Sequence, residues 1–91
     1  MLLHLGAEWV VPCRYVLAIL NLRTADSPDT RDFLRRFREL NTLISVPEGA
    51  PRSAVIAVDD KGVRRVYLSP ISAATLKQRN LFAGMMERGV V

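Results

Sequence analysis

Three arginines, Arg31, Arg35 and Arg38, stand at i, i+4 and i+7 in a segment with helical periodicity. That spacing gathers them within about 60° of a helix wheel, a cationic ridge turned away from the apolar positions Phe33, Phe37 and Leu40. Planar guanidinium forks match phosphate oxygens bidentately, so the chemistry open to such a ridge is anion recognition. Two readings stand side by side. In one the ridge is a solvated helix face, with Arg36 paired to Asp32 and Arg35 to Glu39. In the other it is a phosphate-contact surface, to which Arg31 and Arg38 bring charges without an acidic neighbour at i±4. Arg52, Arg64, Arg65 and Arg14 are further candidates for the same surface.

Other chemistry is sparsely provided for. Catalysis needs converging groups, and the chain has one His and one Cys, with no nucleophile elbow, phosphate loop or dinucleotide fingerprint. His4 reads as a hydrogen-bonded structural residue of a first strand, since no second His or Cys stands at metal-ligand spacing. Cys13 reads as a small core hydrophobe. Asp26, Asp29 and Asp32 complement the positive end of a helix dipole, and Asp59 and Asp60 are turn residues. The expectation is a protein that is not an enzyme, with no cofactor, no metal and no evident small-molecule substrate.

With 91 residues the chain has room for one compact module, and its thin core would gain from burial against a partner. Thirteen Lys and Arg against nine Asp and Glu leave a net charge of +4, and eleven of the thirteen are Arg, which favours anionic partners. A lone cysteine and the lack of a secretory leader point to a reducing cytoplasm. The longest apolar run, Trp9 to Leu20, is broken by Pro12 and Arg14 and falls short of the roughly 20 residues of a spanning helix, so no membrane partner is expected.

The elements that must carry these residues follow from pattern. Leu2 to Leu5 and Trp9 to Val11 are short strands around a turn at Gly6. Tyr15 to Leu22 and Ala54 to Val58 are apolar without alternation, the mark of strands covered on both faces. Ser27-Pro28 starts a helix as N-cap and N1 residue, and Asn41 ends it. Leu43 to Val46 is a strand, residues 47–51 a loop, and Asp60-Lys61-Gly62 turns Ala54–Val58 into Val63–Leu68 as a hairpin. Ser72 caps a short second helix through Arg79 with Ala73 and Leu76 inward. The tail 80–91 has Leu81, Phe82, Met85 and Met86 at helical spacing, weakened by Gly84 and Gly89.

These elements predict an α+β fold: a small, mainly antiparallel sheet with one long helix on one face and a short C-terminal helix. Residues 1–79 form the single domain, and 80–91 an apolar tail, helical and interfacial. One helix of about 10–12 Å diameter covers only some strands spaced about 4.8 Å apart, so one sheet face stays partly bare. The short second helix or another subunit could cover it.

Several strings resemble a known family. His4-Leu5-Gly6, Val10-Val11-Pro12 with Ile19, Asp29-Thr30-Arg31-Asp32-Phe33-Leu34, and Val66-Tyr67-Leu68-Ser69-Pro70-Ile71-Ser72-Ala73-Ala74-Thr75-Leu76 are similar to the RemB branch of the bacterial extracellular matrix regulatory proteins, over residues 1 to 79. The resemblance implies a relative of RemA, a ring-forming, DNA-binding activator of biofilm-matrix genes that grips DNA through arginines. RemA-type sequences carry a run of arginines just before the strand that here begins Ala54-Val55. This chain has Ala50-Pro51-Arg52-Ser53, so only Arg52 survives there, while Arg14 stands near the place of another expected arginine, with Tyr15 aligned on it. The expected partners are therefore double-stranded DNA, met through Arg14, Arg31, Arg35, Arg38 and Arg52, and further copies of the chain in a homo-oligomeric ring. The alternative is an oligomeric assembly or adaptor protein that binds protein partners and not DNA.

Overall fold

A computed structural model describes residues 1–23 and 27–87, with 82–87 given as helix backbone alone. Asp26 and the last tail residues, 88–91, lie outside the described residues. The architecture is α+β, with two helices and two sheets. In chain order come β1 (Leu2–Gly6), β2 (Trp9–Pro12), a 3-10 turn (Cys13–Tyr15), β3 (Val16–Asn21), α1 (Pro28–Glu39), β4 (Leu43–Ser45), β5 (Ser53–Val58), β6 (Arg64–Ser69) and α2 (Ala73–Glu87).

β1 and β2 pair as an antiparallel ribbon of their own, and the main sheet has the order β3-β5-β6-β4. β5 pairs antiparallel with both β3 and β6, as the hairpin reading expects, whereas β4 joins β6 in parallel. β3 and β4 thus run the same way at opposite edges, and α1 is the crossover between them. At the ribbon's turn Gly6 adopts φ +112, and a Cβ there would stand 3.2 Å from Pro70 Cγ, so both backbone and space call for glycine.

The core lies on one face of the main sheet. Leu3, Leu5 and Val11 of the ribbon, Cys13, and Ala73 and Leu76 of α2 pack with Ile19, Val55 and Ala57, with Tyr67 half-buried at the margin. Two serines fasten this layer. Ser53 and Ser69 are fully buried cross-strand partners. The Ser69 hydroxyl donates to the Leu5 carbonyl at 2.6 Å and accepts from the Ile71 N–H at 3.1 Å, and the Ser53 hydroxyl donates to the Ile71 carbonyl at 2.7 Å. Ribbon and helix lead-in are therefore bolted to adjacent strands, the ribbon through a buried hydrogen bond and the lead-in through part-buried ones.

The opposite face is roofed more thinly. Ala54 and Val66 are buried there, outside the main cluster, while Leu20, Ile56 and Leu68 are only half-buried. α1 packs over β4 and β6, and none of its residues is buried. The helices thus reverse the expected roles. The C-terminal helix does not stop at Arg79 but spans 15 residues against 12 for α1, and it carries the fully buried Leu76. Gly84 costs helix about 1 kcal/mol relative to Ala, too little to end it.

β5 is covered on both faces as its apolar run predicts, with Ser53, Ala54, Val55 and Ala57 buried. β3 is not: it is an edge strand, Leu17 is 56% exposed, and its first expected residue, Tyr15, belongs to the 3-10 turn. Leu17 alone in the strand is exposed, at the register shift between Val16 and Ala18, and the other residues are buried or half-buried.

Ser69→Ala leaves the Leu5 carbonyl without its donor in a dry environment. A loss of about 1–3 kcal/mol in urea-unfolding stability is expected, against under about 0.5 kcal/mol for Gln78→Ala on the exposed flank of α2. Equal effects of the two substitutions would show that the serine bolts carry no load.

Candidate functional site

α1 is held at both ends by its own sequence. Ser27 Oγ accepts from the Thr30 N–H at 3.2 Å, Pro28 stands at N1 and Asp29 adds negative charge to the first turn. At the exit Asn41 adopts φ 58. The Thr42 N–H donates to the Phe37 carbonyl at 2.9 Å and the Asn41 N–H to the Arg38 carbonyl at 3.1 Å, a Schellman motif with asparagine in the left-handed position.

Arg31, Arg35 and Arg38 are all exposed along this helix. Their ion pairing differs from the expected scheme. Arg35 pairs with Asp32 at 2.5 Å, i to i+3, so Asp32 is not held by Arg36 and Arg35 is not held by Glu39. Both side chains of the pair are well over half exposed, where such a contact contributes about 0–1 kcal/mol and leaves most of the guanidinium fork open to another anion.

The other two expected contacts lie at opposite ends of the sheet. Arg52 is pinned at the entry of β5, its N–H donating to the Ser69 carbonyl at 2.8 Å and its carbonyl accepting from Leu22 at 3.1 Å. This is the end of the sheet where Asn21, the last residue of β3, pairs with Ser53. Arg14 sits in the 3-10 turn before β3, its guanidinium 4.8 Å from the Tyr15 ring centroid. With β5 rising about 3.3 Å per residue, the two ends are about 17–20 Å apart. Arg14 and Arg52 are thus well separated within one copy.

Arg65 is drawn into the fold instead. Asp59 Oδ2 accepts from Arg65 at 2.7 Å, and Oδ1 accepts from the Lys61 and Val63 N–H groups at 2.9 Å each, closing the β5–β6 turn. The Arg65 hydrogen bond, followed by that from the Val63 backbone, holds the Asp59 carboxyl below the usual carboxylate range. Arg64 remains exposed.

His4 departs from expectation. It faces outward from β1, beside Met1, Leu2 and Arg79 around a shallow depression, and makes no hydrogen bond among the described residues. Alternation puts Leu3 and Leu5 inward, so His4 must point out. Cys13 is buried in the core, as expected. Among the described residues no group of three His, Cys, Asp or Glu could hold a metal ion, and no helix is long and apolar enough to cross a membrane.

Sequence reasoning missed the exposure of two apolar helix positions. Phe33 and Leu40 belong to the inward stripe by count, yet they are 38% and 72% exposed. Both lie at the flank of the stripe, and the half-buried Leu34 and Phe37 mark the line of contact with the sheet. Trp9 against Tyr67, ring centroids 6.2 Å apart, was likewise not singled out.

The sequence profile of the RemA-like family, described as extracellular matrix regulatory protein A-like, matches residues 2–79. Extracellular matrix regulatory protein B of Bacillus subtilis (strain 168) is 32% identical over 82 residues, covering 90% of this chain and 93% of that protein.

The depressed Asp59 carboxyl gives a pH signature. Its contribution to stability is fully present above the ordinary carboxylate range and fades as pH falls through the lowered value. Asp59→Asn is therefore expected to be less stable than the parent at pH 7, with the gap in denaturation midpoint closing in strong acid. A gap that stays constant down to the acid limit would contradict this account of the turn.

Proposed function

The chain belongs to the RemA-like family of extracellular matrix regulatory proteins, and from that premise we propose that it is a non-enzymatic, DNA-binding transcriptional regulator of extracellular matrix or biofilm genes, acting in the bacterial cytoplasm as a ring-like homo-oligomer. The observation that carries this reading is the row of exposed arginines along α1. Backbone phosphates are its natural ligand, and recognition follows the shape of the duplex more than its base sequence.

A few phosphate contacts per copy bind weakly, and assembly offsets this by linking many such contacts along one duplex. Three features support self-association. The main sheet has two unlike edges, β3 and β4, with no strand beyond them among the described residues, and unlike edges allow head-to-tail contacts, which close into a ring where the rotation between copies permits. Beside β3 the apolar side chains of Leu17 and Leu81 are exposed. Asn80 Oδ1, next to the same edge, is buried without a hydrogen-bond partner among the described residues, a cost a donor from a neighbouring copy would relieve. Assembly also offers a way for Arg14 of one copy to approach the Arg52 side of another. The exposed apolar edge equally favours the second reading, an oligomeric adaptor for protein partners.

Fluorescence anisotropy with duplex DNA over a range of salt separates the two. The regulator reading expects a linear fall of log affinity with log salt, and a slope reduced by about 0.9 for each phosphate contact removed in the Arg31→Ala, Arg35→Ala, Arg38→Ala triple variant. Absence of binding at low salt, or a slope the variant leaves unchanged, rejects the ridge as a DNA surface. A triple variant of altered native mass favours the adaptor reading. Asp32→Asn, which removes the carboxylate beside the ridge, is expected to tighten DNA binding about two- to fivefold at low salt, through loss of like-charge repulsion with phosphate.

A further inference from the structure

On the flank of α1 away from the ridge, the helix and the β5–β6 turn enclose a groove of about 610 Å³. Its floor is apolar: Phe33 and Phe37 meet at a tilt of 58° with centroids 4.9 Å apart, and Leu40 and Val63 close the ends. Phe33, Leu40 and Val63 are 38%, 72% and 39% exposed, so hydrophobic surface is left open in a concave setting. Arg36 stands on the α1 wall and Arg64 on the β6 wall.

The charges on the rim say what would fill it. Two cations nearby are paired within the chain, Arg35 with Asp32 and Arg65 with Asp59. Arg36 and Arg64 are exposed and have no ion-pair or hydrogen-bond partner among the described residues. An occupant must therefore offer apolar side chains at its centre and negative charge on both sides. Duplex DNA has the charge but not the apolar wedge, and a flat bilayer fits a convex patch better than a cleft between a helix and a turn.

We propose that this groove docks an amphipathic acidic segment of a partner protein, with its apolar residues against Phe33, Phe37, Leu40 and Val63 and its carboxylates on Arg36 and Arg64. The surface is separate from the Arg31, Arg35 and Arg38 ridge, so one helix serves two ligands on two flanks. The inference stands whether or not the ridge binds DNA.

The test uses the full chain and a fluorescein-labelled synthetic helical peptide with leucines at i, i+3, i+4 and i+7 and glutamates on the flanks, beside a counterpart with lysines in place of glutamates. Anisotropy is expected to show binding of the glutamate peptide, weakened about tenfold or more in the Arg36→Glu, Arg64→Glu variant and in Leu40→Asp. The charge-reversed variant is expected to bind the lysine peptide more tightly than the parent does. Circular dichroism checks the fold, and Arg36→Gln with Arg64→Gln replaces the reversal if it unfolds the helix. No binding, equal binding of both peptides, or indifference to these variants overturns the proposal. So does preferential binding to phosphatidylcholine–phosphatidylglycerol vesicles lost in Leu40→Asp, which assigns the groove to a membrane. A Leu40→Asp variant of lower native mass overturns it too, because the occupant is then a second copy.

Discussion

A central sheet with two apolar faces must bury both, and this chain closes only one of them firmly. The ribbon β1–β2 and helix α2 are committed to the face that carries Ile19, Val55 and Ala57, and the buried hydroxyls of Ser53 and Ser69 fix them there. Both serines sit on neighbouring central strands, and losing either removes the donor to a carbonyl, Leu5 for Ser69 and Ile71 for Ser53. What remains for the other face is a single crossover helix of 12 residues, none of them buried.

That division of labour determines what α1 can do. A helix with so little burial depends on its ends, and the Ser27 cap and the Asn41 exit supply them from local sequence. Because the helix rests on the sheet along the line of Leu34 and Phe37, both of its flanks stay in solvent. The ridge of arginines occupies one flank, and the groove beside Arg36 the other. The same thin cover leaves β3 at an edge of the sheet with Leu17 exposed.

Much of this is written locally in the chain. Ser27-Pro28, Asn41 and Ser72 mark helix limits because capping is satisfied by a few adjacent residues, and the Asp60-Lys61-Gly62 turn marks its hairpin for the same reason. What local pattern does not carry is competition between elements. An apolar run such as Val16–Asn21 reads alike at a sheet edge and at its centre, and only strand order distinguishes them. Ser53 and Ser69 look like ordinary strand residues until the ribbon passes over them. Asp32 has two arginines within reach, and the choice of Arg35 over Arg36 is a matter of side-chain geometry. Arg14 and Arg52 each look suited to an anion, but their separation along β5 is a property of the assembled sheet.

Amide hydrogen exchange along the free chain, repeated with duplex DNA, bears most directly on the unequal roofing of the sheet. The account expects α1 to exchange through local opening well before β5 and residues 73–79, to slow when DNA is added, and the β1–β2 ribbon to stay unchanged. If α1 is as protected as β5 in the free protein, and DNA slows only the ribbon, the thin face is not thin and the ridge is not the binding surface.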